Sequence, residues 1–319
     1  MLRSELIWEA FQRLPEPLMV ADERRRICFI NQAAATLLGC ARDEASGRGI
    51  GVALSALGAD VGEQLASLVD SVLRGGVNQA ERREFVVDGG DAWRGVLEVH
   101  VEAFSPDRDA QSRGVMVLFR DVTAQWSRTH ELHYQATHDA LTGLINRREF
   151  EQRLIDFSQH FERTGVRHAL CFIDLNRFKA VNDEHGHGTG DRLLSELSRF
   201  MQGQLRKGDV LGRLGGDEFG LILPACSGRE AVQVARSIQR TIASFRFEHG
   251  NTSFSIAASI GVTDICDAGL LMQELIDAAD MACYAAKQSG ASAGEAVVHS
   301  AELEAVTGLR HSRLHLTSH

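Results

Sequence analysis

The chain has 319 residues, 44% hydrophobic and 24% charged, with 4 Pro against 30 Gly, a length that suggests two globular domains. Its 34 Lys plus Arg against 43 Asp plus Glu give a formal charge of −9, which argues against the basic footprint of a nucleic-acid binder. No apolar run approaches the roughly 20 residues of a membrane-spanning helix, and Met1-Leu2-Arg3-Ser4-Glu5 opens no secretory apolar core.

The six cysteines (Cys28, Cys40, Cys171, Cys226, Cys266, Cys283) form no C-x-x-C pair and read as thiols rather than disulfides or zinc ligands. The expectation is a cytoplasmic protein that engages neither nucleic acid nor membrane.

Along the first 120 or so residues, short strand-like runs alternate with polar turns. Pro17-Leu18-Met19-Val20-Ala21-Asp22 and Ile27-Cys28-Phe29-Ile30-Asn31, joined by Glu23-Arg24-Arg25-Arg26, read as a hairpin. Glu84-Phe85-Val86-Val87, the alternating stretch 96–104 and Gly114-Val115-Met116-Val117-Leu118-Phe119 come next. Together they predict an antiparallel sheet of about five strands with a few short helices. This stretch resembles a PAS domain over residues 8–123, through Val20-Ala21-Asp22, Phe29-Ile30-Asn31-Gln32-Ala33-Ala34, Leu38-Gly39, Gly47-Arg48 and Asp121-Val122-Thr123. The resemblance implies a sensory or dimerising module. His100, the only histidine before residue 123, alternates with Glu98 and Glu102 on a solvated face, a poor place for a haem ligand. Neither Cys28 nor Cys40 lies in a flavin-adduct pattern, so no PAS cofactor is expected.

From 124 to 137 the sequence is polar and helix-compatible, with Val122, Trp126, Thr129, His133 and Ala136 recurring at spacings of three and four. A connecting signalling helix is expected.

Beyond it, helical and strand patterns alternate. Phe150, Leu154, Phe157 and Phe161 mark one helical face, 169–173 a continuous apolar strand, and Leu194, Leu197, Met201 and Leu205 a second helix. Strands at 210–214 and 219–223 flank Gly215-Gly216-Asp217-Glu218. A helix carrying Val232, Ala235, Ile238 and Ile242, a strand at 254–262 and a helix at 272–289 complete the series. This order predicts an α/β sandwich with a mixed central sheet.

Two groups of acids stand at strand ends. Asp174 closes the run Ala169-Leu170-Cys171-Phe172-Ile173, and Asp217 and Glu218 sit at a hairpin tip where Gly215 and Gly216 permit positive φ. If those strands are neighbours, three carboxylates converge, which is tolerable only with protonation or a cation. Hard oxygen donors suit Mg²⁺ or Mn²⁺ completed by phosphate oxygens. Taken alone, the four-residue string also fits a turn with solvated acids.

Residues 137–290 resemble the GGDEF family of diguanylate cyclases. The resemblance is carried by Gly215-Gly216-Asp217-Glu218-Phe219 together with His138-Asp139-Ala140-Leu141-Thr142-Gly143-Leu144-Ile145-Asn146-Arg147, Phe178-Lys179-Ala180-Val181-Asn182-Asp183, Gly186-His187, Gly190-Asp191, Ser259-Ile260-Gly261-Val262 and Tyr284-Ala285-Ala286-Lys287. It implies an α+β chain: a PAS domain at 1–123 with an antiparallel sheet and short helices, a connecting helix at 124–137, an α/β GGDEF domain at 138–299 related to nucleotide cyclase and polymerase palm architecture, and a tail at 300–319. It also implies condensation of two GTP into cyclic di-GMP by two domains facing each other as a homodimer, through metal-assisted nucleotidyl transfer.

Position by position, the resemblance makes Asp174, Asp217 and the Leu175 carbonyl ligands of Mg²⁺ or Mn²⁺. It makes Glu218 a ligand or general base beside the attacking hydroxyl, and counts Asp217 and Lys179 with it among the catalytic residues. Asn182 and Asp191, beside Phe178, match the guanine-binding positions, and Lys179 and Lys287 the phosphate contacts. Without the family, Asn182 and Asp191 read as turn caps in a glycine-rich loop and Lys287 as a solvated helix residue. Arg206-Lys207-Gly208-Asp209 resembles the family's R-x-x-D site, where cyclic di-GMP restrains the enzyme; the plain reading is the basic last turn of a helix.

Two positions depart from the family. Ala291-Ser292 stands where an arginine is usual, and Ser237, beside Arg236, where some members complete the product site with arginine. The domain most resembles those preceding an EAL phosphodiesterase domain, for which 300–319 has no room; the sequence is a piece of a longer protein, or the cyclase stands alone. The rival expectation is a GGDEF domain that binds GTP or cyclic di-GMP and regulates a partner without turnover.

Overall fold

The computed structural model describes residues 2–75, 79–88, 94–105, 113–249, 252–266, 271–289 and 296–301. Its contacts divide the chain into two units, Met1–Leu132 and His133–His319.

In the first unit, α1 (Leu2–Gln12) precedes the hairpin of β1 (Leu18–Asp22) and β2 (Ile27–Ile30). Asn31 fixes the exit from that hairpin. Fully buried, its Oδ1 accepts from Leu18 N at 3.0 Å and from Ala34 N at 2.9 Å, capping α2 (Gln32–Leu37), while its Nδ2 donates to Glu16 O at 2.8 Å. Short helices α3 (Arg42–Ala45) and α4 (Ile50–Leu54) lead into α5 (Ala59–Gly75). Its buried Leu65, Leu68, Val69 and Val72 form one stripe, packed on β3 (Ala80–Asp88), β4 (Arg94–Phe104) and β5 (Gly114–Asp121). The antiparallel sheet runs β2-β1-β5-β4-β3, five strands as the alternation predicts. His100 is half-buried rather than solvated, its Nε2 lying 3.5 Å from Glu102. Helix α1, not expected from the sequence, docks Trp8 edge-on against Phe29 at 4.4 Å between ring centroids.

Helix α6 (Thr123–Thr137) buries no residue. Along it Trp126 stacks on His130, and Tyr134 stacks on His138 just past its end.

The second unit holds a six-stranded mixed sheet, ordered β13-β12-β7-β9-β8-β6. Its strands are β6 (Ile145–Asn146), β7 (His168–Asn176), β8 (Val210–Gly215), β9 (Glu218–Leu223), β12 (Ala257–Ile265) and β13 (Ala296–His299). A separate hairpin joins β10 (Arg246–His249) to β11 (Thr252–Ser255), so the predicted single strand at 254–262 breaks at Ile256. Alternation along β7 decides the two faces. Cys171, Ile173 and Leu175 meet α9 (His187–Gln202) and α10 (Gly228–Ser244), whereas Leu170 and Phe172 meet α7 (Arg147–Thr164) and α11 (Met272–Ser289). By the same alternation Asp174 belongs to the α7–α11 face.

Candidate active site

The central strands β7 and β9 are antiparallel neighbours, with Asp174 directly opposite Glu218. Cross-strand partners share a face, so both carboxylates project on the α7–α11 side. Gly216 turns the β8–β9 tip with φ +50, and Leu175 N donates to the Asp217 carbonyl at 3.2 Å, tying that tip to the end of β7. On the same face the fully buried Phe150 ring covers Gly220 and Gly212, which lie opposite each other on β9 and β8. That contact sets the N-terminus of α7, and Arg147 with it, near Glu218.

Burial raises the Glu218 carboxyl above the ordinary range, and the charges of Asp174, Asp280 and Asp217 add to the effect against Arg147. Asp217 is raised by burial and by Asp174, against Lys287 and Arg213. Asp280, projecting from α11, is raised by burial and by Asp277 and Asp174. Lys287, two turns further along α11, donates to Asp174 Oδ1 at 2.7 Å. Among the described residues, no three His, Cys, Asp or Glu side chains close around one point as a ready metal cage. The expected convergence of three carboxylates is therefore one of neighbouring charges rather than a closed cluster: like charges repel, and Lys287 draws Asp174 to itself.

The nucleotide-contact residues fall in two places. Lys287 is at the carboxylates. Phe178, Lys179 and Asn182 lie on α8 (Phe178–His185), a helix missing from the sequence reading, and Asp191 on α9. Asn182 and Asp191 are thus helical, not turn caps in a loop. Lys179 and Asp191 are exposed, and Phe178 is buried. The Asn182 amide packs against Gly190, beside Asp191, and its Oδ1 is buried without a hydrogen-bond partner among the described residues.

Arg206 and Asp209 lie at the opposite end of β8 and β9 from the tip. Arg206 Nε donates to Asp209 Oδ1 at 2.7 Å, and Arg206 Nη2 to the Pro224 carbonyl. With Ser237, Cys226 and Val234 they line a groove of about 380 Å³. Helix α9 ends at Gln202, so Arg206 is not in a helix's last turn. Residues 291 and 292 lie outside the described residues.

Sequence reasoning missed Arg213 and Asp139 as positioning residues. Arg213 donates to Asp139 at 3.1 Å and to the Gly216 carbonyl at 2.8 Å, while Asp139 also accepts from Thr142 N and Oγ1 at 2.9 and 2.7 Å. Burial pushes Asp139 up, but the bonds from Thr142 and Arg213 outweigh it and hold its carboxyl below the ordinary range. A depressed carboxyl stabilises the fold above its unfolded pKa, and that contribution is lost as pH falls through the folded pKa. Arg213→Ala is expected to cost about 1–3 kcal/mol at pH 7 in denaturant unfolding, with the deficit shrinking as pH falls below the ordinary carboxylate range. A deficit independent of pH would show that the Arg213 contribution does not run through the Asp139 carboxylate.

Comparison with known proteins places these features. Residues 136–293 match the family described as diguanylate cyclase, GGDEF domain, and residues 11–126 the PAS fold. "Probable diguanylate cyclase DgcE" of Escherichia coli K12 is 36% identical over 281 residues, 86% of this chain and 24% of that protein. "Cyclic di-GMP phosphodiesterase PdeB" of Shewanella oneidensis is 32% identical over 282 residues, 88% of this chain and 31% of that protein. The chain thus spans about a quarter to a third of these relatives' length. A crystal structure of the coiled coil and GGDEF domain of DgcB from Caulobacter crescentus, in complex with c-di-GMP, superposes with a TM-score of 0.52 at 24% identity, over 56% of this chain and 93% of that one. That likeness bears on the fold alone.

Proposed function

We propose that the chain, which belongs to the GGDEF family and carries a PAS fold ahead of that domain, is a diguanylate cyclase that joins two GTP molecules into cyclic di-GMP and releases two pyrophosphates. The observation that carries this reading is the β7–β9 register, which sets Asp174 opposite Glu218 beside a glycine tip and under a lysine from α11.

Asp174, Asp217, Glu218 and the Leu175 carbonyl are the oxygen donors that would hold Mg²⁺ or Mn²⁺, and their mutual repulsion and hard-donor chemistry fit such an ion. A bound ion would activate the attacking 3′-hydroxyl and neutralise charge developing on the α-phosphate. Glu218, with its raised affinity for a proton, is suited to take one from that hydroxyl. Asn182 and Asp191 offer an amide and a carboxylate to the purine edge, the carboxylate accepting from the guanine N1 and N2 hydrogens that adenine lacks. Lys179 and Lys287 supply mobile ammonium groups to the triphosphate.

Each domain holds one nucleotide, so two chains must face each other, and the PAS region regulates that encounter. The supply of GTP and the thiol state of the cysteines, none of which is in a disulfide, suit the cytoplasm. Purified protein given GTP and Mg²⁺ is expected to yield cyclic di-GMP by mass spectrometry, and folded Asp217→Ala none. Product from the variant would discredit the site. No product from folded wild type would favour a domain that only binds nucleotide and regulates a partner.

The groove at Arg206 and Asp209 is read as a product site. To grip cyclic di-GMP, Arg206 must exchange its bonds to Asp209 and the Pro224 carbonyl for guanine and phosphate. Arg206→Ala is expected to raise the cyclic di-GMP concentration for half-inhibition at least about tenfold with little change in initial rate. Unchanged inhibition would leave the pair as a structural contact.

A further inference from the structure

Four carboxylates act on one another's charge at the end of the β7–β9 pair: Asp174, Asp217, Glu218 and, from α11, Asp280. Among the described residues, three cations counter them. Arg213 is committed to Asp139 and to the tip carbonyl, and Arg147 bonds Glu151 at 2.9 Å. Lys287 alone of the three touches one of the proposed metal-ligand carboxylates, with Nζ at 2.7 Å from Asp174 Oδ1, and it does so from a half-exposed position, its side chain 47% accessible. An ammonium on a four-carbon stem in that setting is held by one charge-assisted bond and little packing, so it can leave at small cost.

We propose that Lys287 is a displaceable counter-ion of Asp174, competing with the divalent cation for Oδ1 and turning to the triphosphate once the cation takes that oxygen. The inference rests on the reading of Asp174 as a metal ligand. It adds a sequence of events: metal alone binds weakly because it must evict Lys287, whereas metal and nucleotide arriving together give the ammonium a new anionic partner. Lys287 thereby couples the two binding steps and disfavours metal loading in the absence of GTP.

Substitution at Lys287 leaves the core untouched, because its stem projects from the last turn of α11 while Ala286 and Cys283 make the buried contacts. The test is Mn²⁺ titration of the full chain followed by electron paramagnetic resonance, without nucleotide and then with 3′-deoxy-GTP, which lacks the attacking hydroxyl. Without nucleotide, Lys287→Met is expected to bind Mn²⁺ about fivefold more tightly than wild type, the change expected from freeing a carboxylate from a half-exposed ion pair. Lys287→Arg keeps the charge and should match wild type. With 3′-deoxy-GTP present, the advantage of Lys287→Met should vanish, because the ammonium then aids the complex. Equal Mn²⁺ affinities for wild type and Lys287→Met without nucleotide, with binding lost in Asp174→Asn, would overturn the counter-ion role alone. Undiminished binding in Asp174→Asn would overturn the metal-ligand reading beneath it.

Discussion

Glu218→Gln is expected to lower the rate of cyclic di-GMP formation about a thousandfold while leaving the protein folded and marginally more stable. Glutamine keeps the shape of the side chain at the start of β9, so the register with Asp174 is retained. It removes the carboxylate that could accept the proton of the attacking hydroxyl, and one of the oxygen donors for the cation. The stability rises because burial, and after it the charges of Asp174, Asp280 and Asp217, push the Glu218 carboxyl up, so a neutral side chain there relieves both the burial of charge and the repulsion. The paired measurement is initial rate by mass spectrometry and midpoint of thermal unfolding. A variant that keeps its rate, or that unfolds as it loses it, would contradict the assignment.

Gly261→Ala is expected to be the most disruptive small change in the domain. A Cβ there would lie 2.0 Å from the Ala279 carbonyl oxygen and 2.3 Å from Cys283 N, both backbone atoms of α11 that cannot rotate away. Helix α11 seats on β12 at this residue, and Cys283 Sγ donates to the Ser259 carbonyl two residues earlier on the strand, where Ser259 pairs with Asp174. The helix must therefore lift, at a cost of about 3 kcal/mol, carrying Asp280 and Lys287 away from Asp174. Denaturant unfolding should show the loss. A normal midpoint would mean that the strand and helix have room to part without strain.

Most of the strand and helix order was legible because those elements are amphipathic or continuously apolar over their own length. The Gly-Gly tip and the acid ending β7 were legible because charged residues at the end of an apolar strand are conspicuous. Other elements carried no such signal. Helix α8 spans only Phe178–His185 and has Phe178 as its one buried residue, too little for a periodic stripe. Strands β6 and β13 exist by parallel pairing to β8 and β12, which no local pattern announces.

The contacts that shape the site are long-range for the same reason. Arg213 and Asp139 are separated by 74 positions, and Lys287 and Asp174 by 113. Lys287 was nameable from the family motif as a phosphate contact, but its bond to Asp174 is a property of how α11 lies on β12. Gly261 was quoted as part of a motif, and only the fold shows what its missing side chain permits.

The proposed chemistry requires the acids at the end of β7 and β9 to share one cation beneath the nucleotide. The direct measurement is a crystal structure of the full chain with Mn²⁺ and 3′-deoxy-GTP, with manganese located by its anomalous scattering. The expected result is manganese bound by the carboxylates of Asp174 and Glu218, with the triphosphate completing its ligands and the guanine at Asn182 and Asp191. Manganese and nucleotide found together elsewhere on the domain, with Lys287 still on Asp174, would contradict it.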